Sequence, residues 1–155
     1  MSTAAGIDPR GPRFGAGITA AVLLVVIALS LSGLLVPALV IFVAQTLLFA
    51  WGAFAGIARH PFGLLFKRLV RPRLTPPSEL EDPTPPTFAQ GVGFVITAIG
   101  VILTLLGLTL ALPIAAALAF IAAFLNSVFG YCLGCQIYLL LVRTRVLGRS
   151  RAASA

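Results

Sequence analysis

The chain alternates between long apolar stretches and short basic ones. No charged residue falls between Phe14 and Ala58, and none between Pro83 and Val142. A helix rises about 1.5 Å per residue, so roughly 20 residues cross the ~30 Å hydrocarbon core of a bilayer. Each run is therefore long enough for two crossings. Proline lacks an amide donor and clashes with the preceding turn, so Pro37 and Pro113 are expected to break the two runs. The pattern predicts four spans, Phe14–Val36, Ala38–Ala58, Phe88–Leu112 and Ile114–Val142. Backbone polar groups in lipid must be satisfied internally, and the period-two alternation of barrel strands is missing, which leaves helices. The expected fold is all-α: a polytopic membrane protein built as two transmembrane hairpins.

Between the hairpins a different period sets in. From Pro61, a favoured first helical residue, the apolar positions Phe62, Leu65, Phe66, Leu69 and Val70 recur at helical spacing, with only Leu64 out of place. Lys67, Arg68 and Arg71 lie opposite, and Pro72 is expected to stop the run. This predicts a short amphipathic helix lying in the membrane interface. Leu74–Thr87, rich in proline and acidic residues, is expected to be an extended, solvated tether. The organisation expected is a cytoplasmic segment 1–13, a hairpin 14–58, a linker 59–87, a second hairpin 88–142 and a basic tail 143–155.

Composition sharpens this. Of 155 residues, 59% are hydrophobic and 10% charged, with a mean hydropathy of +1.08. Soluble domains carry about 25% charged residues, so a water-soluble globule is excluded, as is a separate catalytic domain. All 11 Lys and Arg residues flank span ends on one side. The positive-inside rule then places both termini and the linker in the cytoplasm, with a multi-pass chain in the plasma membrane. The net charge of +7 suits anionic lipid headgroups rather than nucleic acid. The first apolar stretch is longer than a cleavable signal peptide, so it is expected to remain as a span.

The halves also resemble each other. Pro12-Arg13-Phe14-Gly15-Ala16-Gly17 opens the first and Pro86-Thr87-Phe88-Ala89-Gln90-Gly91 the second, and a proline breaks each at a similar distance. Two spans per unit would make such a repeat parallel, about an axis along the membrane normal. Small residues such as Gly52, Gly56, Gly93 and Gly100 would let the helices approach closely.

One motif carries chemistry. The only cysteines, Cys132 and Cys135, form a Cys-x-x-Cys within Phe129-Gly130-Tyr131-Cys132-Leu133-Gly134-Cys135-Gln136. On a helix that spacing puts both sulfurs on one face, ready for disulfide exchange or soft-metal ligation. A metal would lack ligands, because the chain adds only one histidine, His60, and no span contains a carboxylate. Haem attachment would need a histidine where Gln136 stands. No cofactor is expected. On one continuous fourth span Cys132 lies about 27 Å from the start, near the cytoplasmic, C-terminal end. There the helix dipole opposes a thiolate and burial raises its pKa, so the basic collar is the one candidate to compensate. Cys135, nearer the exit, is the favoured attacker, and Gly130 and Gly134 are expected to loosen the helix. The alternative is that both cysteines only pack.

Three polar side chains warrant attention. His60 ends span two as the cysteines end span four, so it is a candidate neighbour for them, though a headgroup contact or helix end is the plainer reading. Gln45 and Asn126 are expected to make interhelical hydrogen bonds, and Asn126 lies roughly 120° around the helix from Cys132. No Ser-His-Asp, paired-carboxylate, P-loop or Rossmann pattern occurs, which sets aside hydrolytic and nucleotide chemistry.

Four segments together, Asp8-Pro9-Arg10-Gly11-Pro12-Arg13-Phe14-Gly15, Arg59-His60-Pro61-Phe62-Gly63, Arg71-Pro72-Arg73-Leu74 and Phe129-Gly130-Tyr131-Cys132-Leu133-Gly134-Cys135, resemble domain-of-unknown-function family 4395, small integral membrane proteins common in actinobacteria. The resemblance implies no established activity. Members tend to accompany thioredoxin-like and sulfurtransferase proteins, which implies thiol or sulfur chemistry with such a partner by association alone. The outline is also similar to that of four-helix quinone-linked disulfide oxidants. This sequence departs from them in having one cysteine pair, on the cytoplasmic side. The functional expectation is a thiol-disulfide redox or sulfur-relay component, with Cys132 and Cys135 as catalytic residues. The alternatives are a non-enzymatic membrane anchor or subunit for a soluble partner, as a monomer or homo-oligomer, and a small permease for a sulfur compound.

Overall fold

The computed structural model describes residues 6–144; of the basic tail, Arg145, Arg149 and Arg151 lie outside the described residues. Four helices are long and apolar enough to cross a membrane: α1 (Arg10–Leu31), α2 (Leu35–Ala55), α4 (Thr84–Leu105) and α5 (Ala111–Phe129). Two short helices follow the hairpins, α3 (Pro61–Leu65) after the first and α6 (Leu133–Arg143) after the second. The described residues are thus all-helical, apart from a single β-bridge between Ile7 and Glu81.

The breaks between spans are made by glycine, not proline. Gly33 and Gly107 take positive φ (79° and 96°), a backbone region that costs other residues about 1–2 kcal/mol. Pro37 and Pro113 each fall in the first turn of the next helix, where the missing N–H would have had no partner in any case. The same logic moves the start of the third span. Pro85 and Pro86 open α4 from Thr84, inside the expected tether.

The larger departure is in the fourth span. The apolar run from Ile114 to Val142 is not one helix. Gly130, at φ 67°, ends α5 in a left-handed cap. The Gly130 N–H donates to the Asn126 carbonyl (3.1 Å) and the Tyr131 N–H to that of Leu125 (3.2 Å), a closure one residue wider than the Schellman motif. The chain restarts as α6 at Leu133.

Helix α1 packs chiefly on α5 and α2 on α4, with α1–α2 and α4–α5 as hairpin contacts. Exchanging α1 with α4 and α2 with α5 maps each pair onto another, as a parallel repeat would require. The core holds the fully buried Leu23, Val26, Phe42 and Leu112. Gly100 lets α4 meet α5 and α2, since a Cβ there would lie 2.5 Å from that of Ala115 and 3.1 Å from the Phe42 ring. In lipid such close packing, rather than apolar burial, holds helices together. Large side chains such as Phe54, 81% exposed, face outward.

The linker is helical from Pro61 through Arg73, but not uniformly: α3 passes into a π-turn at Phe66–Val70 and a 3₁₀ turn at Arg71–Arg73, so Pro72 does not stop the run. Only Phe66 of its apolar face is buried, against Gly11 and the Phe14 ring of α1 (centroids 5.8 Å apart). The tether beyond is exposed yet not free. Ile7 and Glu81 exchange two backbone hydrogen bonds of 2.9 Å, and the Arg10 guanidinium donates to the Thr75 carbonyl (2.9 Å) while pairing with Asp8 (2.8 Å).

Candidate functional site

Because α5 stops at Gly130, the cysteines sit at the N-terminus of a helix. Cys132 is the N-cap of α6. Its backbone is extended, and its Sγ accepts the Cys135 N–H at 3.3 Å. This reverses the expected electrostatics. The positive end of the α6 dipole and its free N–H groups face the Cys132 sulfur, and both features favour a thiolate. The Cys135 side chain, together with the Cys135 and Gly134 amides, lowers the Cys132 thiol to about 7, while burial and the Glu81 carboxylate oppose the shift. The same contact with Cys132, followed by burial, raises the Cys135 thiol. Both thiols are free and half-buried. Of the two thiols Cys132, not Cys135, is the more acidic, and the shift comes first from the Cys135 side chain and then from the amides at the start of α6, not from the basic collar.

The position of α6 depends on Gly134. This buried residue lies flat on α4, where a Cβ would fall 2.5 Å from the Ala89 Cβ and 2.6 Å from its Cα. Phe88 of α4 and Tyr138 of α6 add an aromatic contact, with centroids 5.5 Å apart. Gly134, expected from the sequence to loosen the helix, is instead a close-packing residue.

Two cavities meet at Cys132. An outer vestibule of about 200 Å³ is lined by Arg13, Glu81, Asn126, Gln136 and both cysteines, among others. Arg13 comes from the start of α1, its guanidinium against Gly130 and its Nη2 donating to the Val128 carbonyl at 3.5 Å. Glu81 is delivered by the stapled tether. An inner chamber of about 280 Å³ lies between the spans, and Cys132 and Asn126 line it as well. Asn126, which the helical wheel of a continuous span set apart from Cys132, thus shares both cavities with it. The break at Gly130 is what brings them together.

Other expected contacts do not form. The His60 side chain is buried in a separate cavity of about 40 Å³ that contains neither cysteine. It caps α3, its Nδ1 accepting the Phe62 N–H at 3.3 Å, so the helix-end reading holds and the pairing with the cysteines does not. Burial pushes the imidazole below its usual value, against a smaller opposing hydrogen bond to the Leu48 backbone. Gln45, 2% exposed, leaves its Oε1 without a partner, so the expected interhelical bond is not made. Among the described residues no three His, Cys, Asp or Glu side chains lie close enough to hold a metal ion.

A family model matches residues 7–143, nearly the whole described chain, cysteine pair included. The chain belongs to the family described as Domain of unknown function (DUF4395). No curated protein and no solved structure matches the chain. The DUF4395 match covers the tether and α6 as well as the spans, so both cavities lie within the family's domain.

Proposed function

We propose that this DUF4395 protein is a multi-pass plasma-membrane component of thiol–disulfide exchange or sulfur relay, working at the cytoplasmic face. The observation that carries this reading is the Cys132 sulfur, capping α6 and opening to the vestibule with Cys135 one turn away. The Cys132 thiolate attacks a disulfide sulfur of a soluble thioredoxin-like or sulfurtransferase partner, forming a mixed disulfide and releasing one partner thiolate. Cys135 then gives up its proton and attacks Cys132 Sγ. The Cys132–Cys135 disulfide forms and the second partner thiolate leaves. The sequence runs equally in reverse. Arg13 at the mouth suits a partner or lipid headgroup of negative charge.

A membrane-impermeant maleimide applied to membrane vesicles of both orientations tests this. Labelling of Cys132 that rises after reduction, and only in inside-out vesicles, supports the reading. Complete labelling regardless of reduction overturns it. Cys135→Ser is expected to trap a mixed disulfide through Cys132, and Cys132→Ser to trap none.

A second reading, a membrane anchor for a soluble protein, is favoured by the exposed basic side chains Lys67, Arg68, Arg71 and Arg73 on the linker. Such an anchor would retain its partner when both cysteines are replaced.

A further inference from the structure

The inner chamber is larger than packing defects usually are. Its volume is about 280 Å³, whereas an apolar cavity of ~150 Å³ already takes up benzene. It is also long. Along α4 the lining runs from Ala89 to Ile96, about 10 Å of helix, and along α5 from Asn126 to Leu118, about 12 Å. Small side chains make the space, with Ala16, Gly93, Ala119, Ala122 and Ala123 around it. Its rim carries Leu118 and Ile137, which are exposed to the lipid side, so the chamber opens sideways into the membrane.

Polarity along this slot is graded. Its polar residues, Asn126, Gln90 and Thr19, belong to the half nearer Cys132, whereas the far end, at Ile96, Leu118 and Ala119, is apolar. One nucleophile stands at the head of it. Cys132, whose Sγ accepts the Cys135 N–H, lines the chamber on one side and the polar vestibule on the other. In the vestibule Arg13 supplies a positive charge and Glu81 a carboxylate. A bilayer lipid lying in the slot from the side would leave the sulfur unused. A chain held covalently at Cys132 puts its carbonyl between the two cavities and its tail where the lining is apolar.

We propose that Cys132 is an acyl-thioester site, loaded from a long-chain acyl thioester of an anionic thiol, and that the chamber houses the chain. The inference goes beyond the exchange reading and shares with it only the Cys132 nucleophile. The donor enters with its anionic part in the vestibule beside Arg13 and its tail in the chamber. The Cys132 thiolate adds to the thioester carbonyl carbon. The Asn126 amide NH₂, at the junction of the two cavities, donates to the carbonyl oxygen as it becomes anionic. The carbon–sulfur bond to the donor then breaks, and the donor leaves through the vestibule as a thiolate that takes a proton from water. One thioester replaces another, so the step needs no oxidant or reductant. Beyond Ile96 the tail passes the rim into the bilayer. While it is attached, Cys132 cannot pair with Cys135, so acylation holds disulfide exchange in check.

The test uses the purified full chain, reduced, in lipid nanodiscs, with palmitoyl-CoA and acetyl-CoA as probes. Intact mass spectrometry and peptide mapping follow the acylation. One palmitoyl group on Cys132, released by neutral hydroxylamine and still added in Cys135→Ser, is expected. Ala122→Phe, which fills the chamber, is expected to lower the palmitoyl rate relative to the acetyl rate at least tenfold. Ala123→Leu, a smaller intrusion, is expected to lower the same ratio severalfold. Both probes meet the same sulfur, so a variant that only disturbs the thiol moves both rates and leaves their ratio unchanged. Palmitoylation at Cys135, a ratio unmoved in both variants, or no palmitoylation of a Cys132 that iodoacetamide alkylates overturns the acyl site alone. A Cys132 that neither palmitoyl-CoA nor iodoacetamide modifies overturns the exchange reading as well.

Discussion

His60 and Cys132 stand at matching places in the two halves. Each follows a positive-φ glycine that ends a span, Gly56 (φ 86°) and Gly130 (φ 67°), and each side chain accepts a backbone N–H of the short helix it starts, at 3.3 Å in both cases. In the first half the capping group is sealed in the protein. In the second the same device holds a sulfur at the edge of two cavities.

The first prediction concerns which thiol reacts. With the Cys132 thiol lowered to about 7 and that of Cys135 raised, alkylation by iodoacetamide is expected at Cys132, rising with pH to half its maximum near 7. Cys135 is expected to remain unlabelled until far more alkaline pH. Removing the Glu81 charge with Glu81→Gln takes away an opposing influence, so the Cys132 curve should move to lower pH, less so at high salt. Peptide mass spectrometry across pH reads both.

The second concerns Gly134. A Cβ at this position runs into Ala89 backbone, which cannot give way as a flexible side-chain tip would. Gly134→Ala is expected to cost about 1–3 kcal/mol of stability and to shift α6 away from α4. The Cys132 alkylation midpoint should then rise toward the ordinary thiol value of about 8.5, which thermal unfolding and the labelling curve check together.

These features also show what the sequence could disclose. The four spans were legible because charge is absent from Phe14 to Ala58 and from Pro83 to Val142. Their ends were misplaced because Pro37 and Pro113 read as breakers and Pro85 and Pro86 as part of an extended tether, although a first-turn proline sacrifices no hydrogen bond. The restart at Leu133 was harder to see. With apolar residues on both sides of Gly130, hydropathy continues unbroken across the cap, and only the glycine itself marked the stop. Arg13, Glu81, Thr19 and Gln90 reach the cavities from distant segments, and nothing local in the sequence joins them to Cys132.

The third prediction concerns pH. Burial lowers the His60 pKa in the folded protein, so the unfolded chain binds a proton more readily. The neutral imidazole's contribution is fully present above the unfolded value of about 6.5 and is lost as pH falls below it. Protonated Nδ1 also loses its lone pair for the Phe62 N–H. The melting temperature in detergent should therefore drop from pH 7.5 to 5. His60→Asn keeps an N-cap acceptor without a titrating group, and should flatten that drop.

The bridge between Ile7 and Glu81 gives the segment ahead of α1 a say in events at the far end of the chain. Whatever grips or removes the residues around Ile7 lets the acidic stretch swing clear of the sulfur, and the thiol becomes more acidic without any change in the helices that carry it. A tag, a binding protein or a proteolytic nick at that point would act as a tuning screw on reactivity.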